Sequence, residues 1–165
     1  MKRLFVLFVL LATMTGCAAR QKSVTNLPVG VSQSQVQTWD AAVSNLQKVS
    51  AINSDLLAAV VRLHNTFDAN GQPVFPDGQA YITTLSLIGK VDQIENAAAA
   101  ALSAIPNNWN ASTKTQVNAY MVEISAALQQ INSEGVIGIK NTTNQQLVSQ
   151  LISEITSTVS IILSL

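Results

Sequence analysis

The chain holds one cysteine, Cys17, and one histidine, His64. A cysteine or serine nucleophile needs a base within hydrogen-bond reach, most often an imidazole. If Cys17 is consumed by N-terminal processing, no Cys–His pair remains. The G-x-S-x-G signature of a serine hydrolase is absent as well. His64 stands next to Leu63 and reads as a boundary residue at the edge of an apolar helical face, with Arg62 and Asp68 forming a solvated charge pattern nearby. Zinc cages built from several cysteines or imidazoles are excluded by the same counts. A di-iron bundle needs two inward Glu-x-x-His sets, whereas here no Glu stands three residues before His64. Asp92 and Glu95 lie one helical turn apart, a spacing that could serve acid–base work. With nine acids spread over the whole chain, the pair is expected to be a solvated face. The segment "DANGQPVFPDG" begins like a calcium loop at Asp68 and Asn70, but Pro73 and Gln79 occupy the positions that need Gly and Glu. No catalytic residue, metal ligand or cofactor site is therefore expected. Two loop aromatics remain as candidates for partner binding: Trp109 in "PNNWN" and Phe75 between two prolines. For both, the alternative is a plug that closes the end of a bundle.

Cys17 has a context of its own. Lys2 and Arg3 precede nine uninterrupted apolar residues, "LFVLFVLLA", and a run ending Met14-Thr15-Gly16-Cys17. The positive start, apolar middle and small-residue end are the three parts of a secretory signal peptide. The apolar run is too short to span a bilayer, which takes about 20 residues. This segment resembles a bacterial lipoprotein signal peptide, with Met14 to Cys17 as its lipobox. Gly16 and Cys17 match that family's pattern, whereas Met14 and Thr15 depart from its usual Leu and Ala or Ser. The resemblance implies cleavage after Gly16, a diacylglycerol on the Cys17 sulfur and acylation of the new amine. It also implies a bacterial envelope location, with Ala18 rather than Asp after the cysteine pointing to the outer membrane. One acyl chain holds a protein only marginally and two hold it stably, so three would make attachment effectively permanent.

Composition limits the partners. Hydrophobic residues make up 48% of the 165 and charged residues 11%, against roughly 25% charged in an average globular protein. Nine basic residues balance nine acidic ones, and loss of Lys2 and Arg3 leaves seven against nine. Nucleic acid is not an expected partner, because phosphate binding needs a clustered cationic face. The expected contacts are the membrane, through lipid at Cys17, and an envelope protein.

The breakers divide the rest of the chain into a tether and four helical stretches. All four prolines (Pro28, Pro73, Pro76 and Pro106) fall between periodic segments, and Gly30, Gly71, Gly78, Gly135 and Gly138 mark the boundaries. The expected organisation is a signal peptide over 1–16, a lipidated tether over 17–31 and one domain over 32–165. Within the domain the three- and four-residue recurrence of apolar positions predicts helices over 33–67, 79–104, 112–134 and 144–165. Ser32 with Gln35, Thr113 with Gln116 and Thr143 with Gln146 have capping-box spacing. "INSD", Ile52 to Asp55, is expected to kink or break the first helix, which would otherwise run about 50 Å. Asn110 and Asn141 open glycosylation sequons that a bacterial protein gives no reason to use. The last helix is expected to be buried rather than to cross a membrane, with Ile161, Ile162, Leu163 and Leu165 as an alternative docking end. Four amphipathic helices with short connections predict an all-α antiparallel bundle.

The resulting expectation is a lipid-anchored, non-enzymatic interaction or structural module. Two alternatives stand beside it: a carrier of a small apolar ligand held between helices, and a phage- or plasmid-encoded exclusion or lysis lipoprotein.

Overall fold

A computed structural model describes residues 27 and 29–165. Gly16, Cys17 and most of the tether lie outside the described residues. Among those described, four α-helices account for the architecture: α1 (Gln33–His64), α2 (Gln79–Ala104), α3 (Ala111–Gln130) and α4 (Thr142–Ser164). A π-helical turn, Ile131–Gly135, and a single 3₁₀ turn, Val136–Gly138, join α3 to α4. No strand occurs among these residues, only an isolated bridge between Phe67 and Pro73.

The helices form an antiparallel bundle. The register between α1 and α2 shows their opposed direction: Trp39 reaches Leu102, and Asn53 reaches Ile88. Residues near the start of one helix thus meet residues near the end of the other. Each helix packs against its neighbours in sequence, and α4 closes the ring against α1. The core is one continuous apolar cluster. It takes Leu46, Val49, Leu56 and Val60 from α1, Ile88 and Val91 from α2, Met121, Ile124 and Leu128 from α3, and Ile155, Val159 and Ile162 from α4.

Local chemistry sets the ends. Ser32 caps α1 in a reciprocal box: its hydroxyl accepts the Gln35 amide at 3.3 Å, while Gln35 Oε1 accepts the Ser32 amide at 2.8 Å. The other two expected boxes give way to stronger caps. Asn110 accepts the Thr113 amide at 2.9 Å, and Asn141 accepts the Thr143 amide at 2.8 Å. Asn outranks Thr as an N-cap, so both sequon asparagines serve as helix starts. At the other end, α1 stops at His64 rather than Phe67. Asn65 leaves helical geometry, and the Leu63 carbonyl accepts the amides of Thr66 and Phe75. Phe67 is consequently 63% exposed instead of joining the stripe.

Two further expectations are corrected, and the expected burial of the last helix is seen. "INSD" does not break α1, which runs through it as continuous helix. Asn53 is buried there, and its amide donates to the Ile88 carbonyl at 3.3 Å, so the polar residue joins two helices. The third helix ends at Gln130, four residues early, where the Val136 amide bonds back to the Ile131 carbonyl and widens the turn. On α4, Ile162 is fully buried and Leu163 and Leu165 pack against the core, leaving Ile161 exposed.

The loop from 65 to 78 closes one end of the bundle. Phe75 is 1% exposed within the core, and the Val74 carbonyl accepts the Lys140 amide at 3.0 Å. Trp109, in the loop from 105 to 110, is 7% exposed and belongs to the same cluster. Neither aromatic offers a surface for a partner, because each is buried as a plug in the core. Asn107 makes the second turn with a left-handed φ of 60°, a conformation Asn tolerates better than most residues.

Candidate functional site

Each candidate among the described residues has a definite place. His64 ends α1, and its Nδ1–H donates to the Phe75 carbonyl at 3.0 Å. Its ring stacks on Tyr81 at 4.3 Å, and Tyr81 in turn meets Phe75 edge-on at 5.3 Å. Nε2 lies 3.7 Å from the exposed Asp77 carboxylate. The imidazole thus ties the end of α1 to the loop and to the start of α2, which is the role of a boundary residue.

Asp68 has its oxygens occupied. Oδ1 accepts the Asn70 and Gln72 amides, both at 2.9 Å, and Oδ2 pairs with Lys140 at 3.2 Å. The Gln72 amide above all, with help from Asn70 and Lys140, holds the carboxyl below its ordinary range against a smaller opposing effect of desolvation. Donors from the protein fill the positions where a cation would bind. The carboxylate makes a tight turn, with Gly71 at φ 71° completing it.

Glu95 overturns the expectation of a solvated pair with Asp92. It is 4% exposed, and neither carboxyl oxygen has a hydrogen-bond partner. The reason is its register on α2, where Ile88, Val91, Glu95, Ala98 and Leu102 recur at alternating three- and four-residue steps and are all buried. Glu95 therefore occupies a core position by spacing. That heptad-like row is the sequence signal for its burial, whereas the three-residue spacing to the exposed Asp92 points the other way. Burial pushes the Glu95 carboxyl up to about 7. The neighbouring Ser50 hydroxyl works against this without reaching bonding geometry, and the charge of Asp92 adds to the rise.

The carboxyl lies on the seam between α1 and α2, and small residues make that seam incomplete. Trp39 donates from its indole N–H to the Leu102 carbonyl at 3.0 Å, filling one of the acceptors that a helix C-terminus leaves open. Between this bond and the Asn53–Ile88 bond, α1 presents Ser50 and α2 presents Asn96 and Ala99. These side chains are too short to fill the space. One cavity of about 280 Å³ results, walled by Trp39, Val43, Leu46 and Leu102, with Glu95 among its lining residues. A second, of about 320 Å³, follows along the same seam, lined by Asn53, Leu57, Leu85, Gly89 and Asp92. Asn53 Oδ1 is also buried without a partner. Neither lining contains Lys, Arg or His.

The arrangement suits binding: an apolar wall, an indole fixed by its own hydrogen bond, and several buried acceptors lacking donors. No family model, curated protein or solved structure matches the chain.

Proposed function

We propose that this chain is a lipid-anchored protein of a bacterial cell envelope, tethered at Cys17, whose helical domain binds a small molecule between α1 and α2 without catalysing a reaction. The observation that supports binding is the incomplete α1–α2 seam with the unpaired Glu95 carboxyl in it. A buried polar group left without a partner costs about 1–3 kcal/mol. A ligand that supplied the missing donor would recover that cost, so the seam has a reason to bind something. Support for the anchor is the lipobox-like Met14-Thr15-Gly16-Cys17 behind its apolar run. Carriage of a small ligand is favoured over docking of a protein because the acceptors lie recessed within the seam.

Two measurements test the two halves. Radioactive palmitate supplied to growing cells should label the wild type and leave Cys17→Ala unlabelled; label on the variant overturns the anchor. Native mass spectrometry after gentle extraction should show a small adduct on the wild type, and a clean apo mass counts against carriage.

A further inference from the structure

The buried polar atoms left unpartnered on the α1–α2 seam share one property, which narrows the chemistry of what they bind. Glu95 Oε1, Glu95 Oε2 and Asn53 Oδ1 are acceptors, and all three are buried and unpartnered. The Asn53 amide nitrogen is engaged by the Ile88 carbonyl, which fixes its oxygen as the free atom. Asp92 adds an exposed carboxylate one turn before Glu95, lining the second cavity, where its Oδ2 accepts the Asn96 side-chain amide at 3.4 Å. On the facing helix the lining polar residues are Gln47, Ser50, Asn53 and Ser54, and none of them titrates. With Glu95 ionised, an anionic ligand would bring acceptors to acceptors and add like charge, and a hydrocarbon would leave them unsatisfied.

We infer that the seam holds a linear aliphatic diamine as its ammonium form, one nitrogen at Glu95 once that carboxyl turns toward the Trp39-walled cavity and the other at Asp92 and Asn53, with the methylene chain running from the first cavity to the second. An ammonium supplies three N–H donors and the positive charge that makes each hydrogen bond to a carboxylate stronger. The indole adds a favourable aromatic surface for a cation. Two cavities in succession, each with its own carboxylate, favour two nitrogens over one. The inference rests on the seam being a ligand site. It also sets a proton balance: where Glu95 is protonated in the empty protein, its O–H bond breaks as the ammonium enters, and the proton leaves to solvent.

The experiment is isothermal titration calorimetry of the full-length protein in detergent, with 1,4-diaminobutane, butylamine and 1-butanol as probes. The diamine should bind more tightly than the monoamine, and butanol should not bind. Diamine affinity should rise about tenfold from pH 6 to pH 8, because one pH unit below the Glu95 value most of the carboxyl must first ionise. Buffers of different ionisation enthalpy should register close to one proton released at pH 6 and little at pH 8. Glu95→Gln should weaken the diamine at least tenfold and abolish the pH dependence. Its urea midpoint shows whether the fold is kept, and Asp92→Asn provides a second variant expected to weaken the diamine more than butylamine. Butanol binding as well as the amines, undiminished binding by Glu95→Gln, or no heat with any amine at about 10 mM overturns the inference. An adduct in native mass spectrometry with no amine response would overturn the diamine while leaving carriage standing, so the two failures are distinguishable.

Discussion

Glu95 is the residue where burial and charge conflict, and the conflict has a measurable sign. Its ordinary value near 4.5 rises to about 7 in the fold. Between those two values the native state binds the proton that the unfolded state has lost. Stability therefore falls as pH rises through this window, and the cost is complete above about 7. At about 1.4 kcal/mol per unit the upper limit is on the order of 3 kcal/mol. Asp68 has the opposite sign: its carboxyl is lowered, so the stability it contributes is present above its ordinary value and lost as pH falls through the folded one. Urea unfolding of the empty protein should thus show weaker resistance at pH 8 than at pH 5. Glu95→Gln, which keeps the shape and removes the charge, should flatten that difference and raise stability at pH 8 by up to about 3 kcal/mol. An unchanged pH profile in the variant would show that Glu95 is not the group responsible. At this scale the sequence was only partly legible. The anchoring candidate stands out by type, because one cysteine follows one apolar run. Glu95 is one of nine acids and is distinguished only by register, which becomes decisive once the helix that buries it is known.

At the scale of elements, periodicity carries most of the information, because one apolar face is what a bundle helix must have. The limits of α2, Gln79–Ala104, follow directly from the breakers on either side. The junction from α3 to α4 was not legible, since its shape depends on what lies across from it. The π-helical turn places Gly135 against α2, where a Cβ would collide with the Thr84 hydroxyl. Gly138 is similarly close to Ala80 and to the Phe75 ring. Glycine at 135 is thus a packing requirement, and its φ of −82° demands no special conformation. Gly135→Ala should destabilise the protein by about 1–3 kcal/mol through overpacking. Thr84→Ala removes the obstructing hydroxyl, and the double variant should therefore recover part of that loss. A double-mutant cycle by thermal or urea unfolding reads the coupling, and strict additivity would place the effect elsewhere in the turn.

The whole molecule shows how a chain with so little charge folds with wet helix faces. Serine and threonine hydroxyls repeatedly donate to the carbonyl four residues earlier, as at Thr38, Ser54, Thr115, Thr156 and Ser160. Such faces are polar while carrying few ions, which makes α4 long and apolar enough on composition to cross a bilayer. Its place in the bundle argues for the other role. Val148, Ile152, Ile155, Val159 and Ile162 are buried on one side, and Glu154 stands exposed on the other. In a bilayer that carboxylate, with only the neutral Gln150 side-chain amide donating to it and no cation, would cost several kcal/mol, and α1 would lose the helix that covers its core face. On the proposed reading, membrane attachment therefore depends on Cys17 alone. Replacing residues 1–17 with an ordinary cleavable signal peptide should move the protein from the membrane pellet to the aqueous fraction, and an alkaline wash should leave none behind. If the lipid-free protein instead stays in the pellet through that wash, α4 holds it there and the bundle must open to insert. Circular dichroism and unfolding of the released protein complete the comparison, because a domain that keeps its helix content and cooperative transition without lipid has packed α4 against its own core.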